Sequence, residues 1–159
     1  MDSACQFNFV LDDTRDKPFF SLMLSTPRLL DGTHLWRPVE MDETYKLMYE
    51  GFPLTVMGQS DANRVFHTRA VGISTLSTEE VGNFYLSTWS NRVPDFQPVA
   101  YLGDGANAFA NAAKRVFPSI GTHGVRLMCF AHVYKVRTRQ RSFRNAFHGL
   151  KVHLIRNEK

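Results

Sequence analysis

The stretch VAYLGDGANAFANAAKRVFP, Val99 to Pro118, constrains the fold more than any other part of the chain. An apolar run of strand length enters Asp104-Gly105, and Ala106, Phe109, Ala110, Ala113 and Phe117 then recur at spacings of three and four, the buried stripe of a helix. Lys114 and Arg115 suit the negative end of that helix, and Pro118 stops it. A strand that turns directly into a helix implies an α/β protein. The aspartate at the turn has two readings. It can cap the helix by accepting from free N–H groups of the first turn, or it can hold a metal at the carboxyl end of a strand.

The flanking sequence extends this unit. FNFVLDD and PFFSLMLST are Phe-rich runs joined by TRDK, which predicts a strand, turn and strand. In LWRPVEMDETYKL, Val39 and Met41 alternate with Glu40 and Asp42, so the two acids share one face of a third strand that starts at Pro38 or has a free edge there. FPLTVMGQS and VFHTRAVGIST flank the turn DANR, predicting a hairpin over 52–75. Ser77 with Glu80 has capping-box spacing, and Val81, Phe84, Tyr85 and Trp89 predict a helix over 78–91. VRLMCF reads as a further core strand. Beyond it Val133, Val136, Gln140, Phe143, Phe147 and Leu150 repeat at helical spacing, a helix that wants a partner. Trp36, Tyr45 and Trp89 fit core or subsurface packing better than base stacking.

At 159 residues, with 43% hydrophobic and 21% charged content, the chain matches one ordinary globular domain. The opening MDSACQFNF lacks the basic and apolar regions of a secretory signal, and no run is long enough to span a bilayer. Cys5 and Cys129 lie far apart, so a reducing, intracellular setting is expected, with no membrane partner. The net charge of +4 conceals an asymmetry. Residues 105–159 carry four Lys and seven Arg against Glu158 alone, whereas residues 1–104 carry eight basic and fourteen acidic groups. A basic C-terminal third is the footprint of a protein that approaches polyphosphate, although solvated helix faces can also be basic.

Asp42 ends an apolar strand, where it is either solvated or held by a cation. Two aspartates at neighbouring strand ends suit a hard divalent ion, which takes one or two carboxylates together with phosphate oxygens.

MDETYKLMYEGFPLTVMGQSDANRVFHTRAVGIS, followed by YLGDGANAFANAAKRVFP and RLMCFAHVYKV, resembles the catalytic core of Mutator-like element transposases over about residues 35–140. The resemblance implies a ribonuclease H-like fold: a mixed five-stranded sheet with an antiparallel three-strand meander, flanked by helices and cut off before the last helix. It divides the chain into a lead-in hairpin (1–33), the core (34–132) and a basic helix that begins a family insertion (133–159). It also implies a DDE site in which Asp42 and Asp104 are the first two catalytic carboxylates and hold Mg²⁺ or Mn²⁺. The family's Cys-x-x-His signature falls on Cys129 and His132. The implied reaction is metal-dependent DNA strand cleavage followed by strand transfer.

Two departures accompany the match. Glu43 stands where the family more often has a small residue. No Asp or Glu occurs between Gly105 and Asn157, so the third carboxylate is missing and Glu158 is a poor substitute. Cys129 and His132 lack the companions a structural zinc needs, which leaves a buried thiol and a histidine near the site as the alternative. Lys135, Arg137, Arg139, Arg141 and Arg144 are expected to contact DNA phosphates, the competing reading being a solvated helix face.

Two function classes stay open. One is part of a DDE transposase that acts in the nucleus on transposon ends and target DNA, as a homo-oligomer or with a downstream segment of the same enzyme. The other is a non-catalytic descendant, nuclear or cytoplasmic, that binds DNA or a protein. A ribonuclease H-like nuclease of different chemistry is a third, weaker reading.

Overall fold

The computed structural model describes residues 6–16, 18–35, 37–45, 47, 50–104 and 107–128. The expectations for Cys129, His132, the basic residues from Lys135 to Arg144, the 133–159 helix and Glu158 lie outside the described residues, as do those for Trp36 and Ala106.

Strands β1 (Gln6–Asp12), β2 (Phe19–Ser25), β3 (Pro38–Thr44), β4 (Leu54–Ser60), β5 (Phe66–Ser74), β6 (Ala100–Gly103) and β7 (Val125–Met128) form one mixed sheet in the order β1-β2-β5-β4-β3-β6-β7. Pairing is antiparallel from β1 across to β3, and parallel from β3 to β6 and from β6 to β7.

The lead-in hairpin is therefore part of the sheet, and the expected five strands are seven. β2 explains why. It alternates buried Phe19, Ser21, Met23 and Ser25 with half-buried Phe20, Leu22 and Leu24, so both of its faces need cover. It pairs with β5 through Ser21–Leu24. Asp12 closes the β1–β2 turn by accepting from Thr14 and Arg15. β3 does begin at Pro38, and Asp61 shapes the β4–β5 turn by accepting from the N–H groups of Asn63 and Val65.

Helix α1 (Pro27–Asp31) is followed by a 3-10 turn at Gly32–Leu35; α2 is Glu79–Arg92, α3 is Asn107–Val116 and α4 is Pro118–Thr122. Thr78, rather than Ser77, caps α2 by accepting from the Val81 N–H. Ser77 donates instead to Glu43, and Glu80 pairs with Arg15 at 2.8 Å, so the expected capping box does not form. Pro118 both ends α3's run and opens α4, because proline is pre-organised for the first helical position.

The core lies where these helices meet one face of the sheet. Val39, Met41, Met57, Ala70 and Tyr101 pack there with Val81, Tyr85 and Trp89 of α2 and with Phe109 and Ala113 of α3. Trp89 also stacks on Phe96, ring centroids 5.7 Å apart. Tyr45 departs from expectation: it is 52% exposed. The other sheet face carries Leu22, Leu24, Leu54, Val56, Val71 and Ile73 in register, all half-buried. Among the described residues, no helix is long and apolar enough to cross a membrane.

Candidate metal centre

Parallel pairing of β3 with β6 sets the geometry of the site. Pro38 lies opposite Ala100 and Glu40 opposite Leu102. Carrying that register two residues further sets Asp42, on β3, across from Asp104, the first residue past β6. Neighbouring strands are roughly 5 Å apart, a span that a shared cation and two carboxylates can bridge. Asp42 is exposed and Asp104 half-buried, so neither bears the full cost of a buried charge.

Period-two alternation keeps Glu40 on the Asp42 face, as the sequence predicts. Both line a cleft of about 320 Å³ with Val56, Phe66 and Leu102. Glu40 is 9% exposed, and its Oε1 accepts from the Ser60 N–H at 2.6 Å, a charge-assisted bond that ties β3 to the end of β4.

Glu43 belongs to the other face by the same alternation, yet it sits at the same end of the sheet. Its carboxylate accepts from three hydroxyls: Thr55 at 3.1 Å, Tyr45 at 3.2 Å and Ser77 at 2.5 Å. Burial pushes its pKa up, the three donors pull it down, and the negative charge of Asp104 adds to the upward shift. Tyr101 carries the same signature. Its hydroxyl is pushed well above the usual phenol range by burial first and by Asp104 next, with Glu43 and Asp42 acting in the same sense and Arg126 opposing. Asp104 thus lies within electrostatic reach of both groups. Arg126 donates to Asn107 at 2.8 Å, which joins β7 to the start of α3 beside this acidic end.

Hard oxygen donors from two neighbouring strands match what Mg²⁺ or Mn²⁺ asks of a protein when phosphate and water complete its shell. Among the described residues no three His, Cys, Asp or Glu side chains converge as a ready-made metal cage.

Asp104 directly follows β6, whereas Asp42 does not end its strand as expected: β3 continues through Glu43 and Thr44, which still pair with β4. Cys129 follows directly on β7 in sequence, outside the described residues with His132 and the five basic residues. Sequence reasoning missed the hydroxyl cluster around Glu43, because Thr55 and Ser77 come from distant segments. It also passed over Tyr101, although the YLGD order placed a phenol three residues before the second aspartate. No protein-family model, curated protein or solved structure matches the chain.

Proposed function

We propose that this chain is part of the catalytic core of a Mutator-like DDE transposase with a ribonuclease H-like fold. One observation carries the reading: Asp42, two residues before the end of β3, and Asp104, the first residue past β6, lie towards the carboxyl ends of adjacent parallel strands. The order β5-β4-β3-β6-β7, an antiparallel meander followed by two parallel strands, supports the fold assignment.

Asp42 and Asp104 would hold Mg²⁺ or Mn²⁺, which supplies activation of the attacking oxygen and stabilisation of the leaving one. Glu40, tied to the Ser60 N–H, would line the cleft beside Asp42, while the hydroxyls of Thr55, Tyr45 and Ser77 would hold Glu43 and so set the field around Asp104. The basic residues Lys135, Arg137, Arg139, Arg141 and Arg144 would bind DNA phosphates in a salt-sensitive way with little sequence information. A DNA substrate implies a nuclear location.

The test is Mg²⁺-dependent cleavage of DNA carrying transposon ends by a polypeptide extended past Lys159 to include a third acid. Cleavage that falls to background in Asp42→Asn and Asp104→Asn is the expected result, with little or none from residues 1–159 alone. Unchanged cleavage in both variants would overturn the assignment.

A second reading has its own observation, the absence of Asp and Glu between Gly105 and Asn157. It makes the protein a non-catalytic descendant that binds DNA or a partner. Binding that falls steeply with salt and depends on residues 135–144, without cleavage by the extended polypeptide, would favour it.

A further inference from the structure

The hydroxyl of Tyr101 is a buried polar group at this end of the sheet that the proposed reaction leaves unused. Tyr101 is 1% exposed, and its hydroxyl has no hydrogen-bond partner among the described residues. Leaving a buried hydroxyl unpaired is costly, so a phenylalanine would be the cheaper occupant of an ordinary core position. The direction of the side chain is also specific. A Cβ built on Gly103 would overlap the Tyr101 hydroxyl, so the phenol lies against the Gly103 backbone and points to the carboxyl end of β6. Asp104 is the next residue. Glycine at 103 is what allows a phenol to reach this far without displacing the strand, and the acids that raise the Tyr101 pKa are those of the candidate metal centre.

We propose that Tyr101 is a positioning residue: its buried hydroxyl donates a hydrogen bond to the Asp104 carboxylate and orients it when a divalent cation is bound. This rests on the reading of Asp42 and Asp104 as cation ligands. Ligating carboxylates are commonly held by such outer donors, whose loss weakens metal affinity about 10–100-fold. A phenol suits the task because it stays protonated there and can only donate towards a carboxylate. The Asp104 oxygen not engaged by the cation is the acceptor.

Mn²⁺ binding to the 159-residue protein, read by electron paramagnetic resonance of free Mn²⁺, tests this alongside thermal unfolding without metal. Tyr101→Phe is expected to weaken Mn²⁺ binding about tenfold while the metal-free protein unfolds at the same temperature or higher. Tyr85→Phe is the matched control. It removes another fully buried phenol oxygen, one that packs against Gly72 of β5, and should leave Mn²⁺ affinity unchanged. Wild-type affinity in Tyr101→Phe would overturn the positioning role and leave the cation site standing. Equal weakening in both variants would assign the effect to packing and overturn it as well. No Mn²⁺ binding by the wild type, or binding that survives Asp42→Asn together with Asp104→Asn, would remove the cation site itself.

Discussion

Two of the polar clusters among the described residues are built on opposite terms. At one, Arg69 of β5 is 6% exposed and donates to Gln59 Oε1 at 3.1 Å, to the Leu29 carbonyl at 2.7 Å and to the Gly32 carbonyl at 2.8 Å. Gln59 passes the chain on to the Thr33 carbonyl, and Trp89 donates to the Thr33 hydroxyl. At the other, around Asp104, like charges face one another, Glu43 is pushed towards protonation and the Tyr101 hydroxyl is left over. The first cluster satisfies its groups and fixes where α1 meets the sheet. The second keeps groups in tension, the condition in which ionisable side chains are poised for binding or chemistry.

The largest effect is expected where satisfaction is most complete. Arg69→Met keeps the stem of the side chain but strands two main-chain carbonyls and the Gln59 oxygen. Urea denaturation should show a loss of about 3 kcal/mol or more, because each orphaned buried group adds its own desolvation cost. Gly32→Ala attacks the same cluster from the other side. A Cβ there would come within 2.5 Å of the Arg69 guanidinium, whose three bonds oppose any retreat. A loss of about 1–2 kcal/mol is expected, and a neutral result would mean that the guanidinium is less firmly held than its bonds imply.

Removing charge from the tense cluster should have the opposite sign. Asp104→Asn deletes the negative charge that opposes ionisation of Glu43, so stability should stay level or rise by up to about 0.5 kcal/mol in the same denaturation experiment. A clear loss would place Asp104 in the supporting structure, as a helix cap whose removal costs about 1 kcal/mol.

The contrast between the clusters also explains what the sequence could reveal. Strand and helix positions followed from local patterns: Val39 and Met41 alternate, and Val81, Tyr85 and Trp89 recur on one stripe. Asp42 and Asp104 stood out as candidates because a carboxylate near the end of an apolar run is a local signal, although β3 runs two residues past Asp42. Arg69 was not. In HTRAVGIS it looks like one more outward-facing residue, and only the register shift opposite Met57 and Gly58, where Arg69 is the extra residue of a bulge, turns it inward. The surroundings of Glu43 were hidden for a related reason, since two of its three donors arrive from β4 and from the loop before α2. The short α1 did have a signal, Thr26 as cap and Pro27 at the first position, but five residues are too few to show a period. The two extra strands of the sheet depend on β2 finding β5, a long-range pairing that no local pattern encodes.

The smallest expected effect is also the most diagnostic of tension. Glu43 has a folded-state pKa raised above the ordinary carboxylate value of 4.5, by burial first and with Asp104 adding to it. The folded protein therefore holds the Glu43 proton more tightly than the unfolded chain does. This contribution to stability is fully present below pH 4.5 and is lost as pH rises through the raised folded value. Glu43→Gln cannot titrate and should lack this loss, so the stability difference between wild type and variant should shift in favour of the variant across that window. Denaturation measured at several pH values from about 4 upwards reads the shift directly. Adding Asp104→Asn to the wild type should move the window to lower pH, because one of the upward influences is gone. A window that stays fixed would separate Glu43 from Asp104 electrostatically and dissolve the tense cluster into two independent acids.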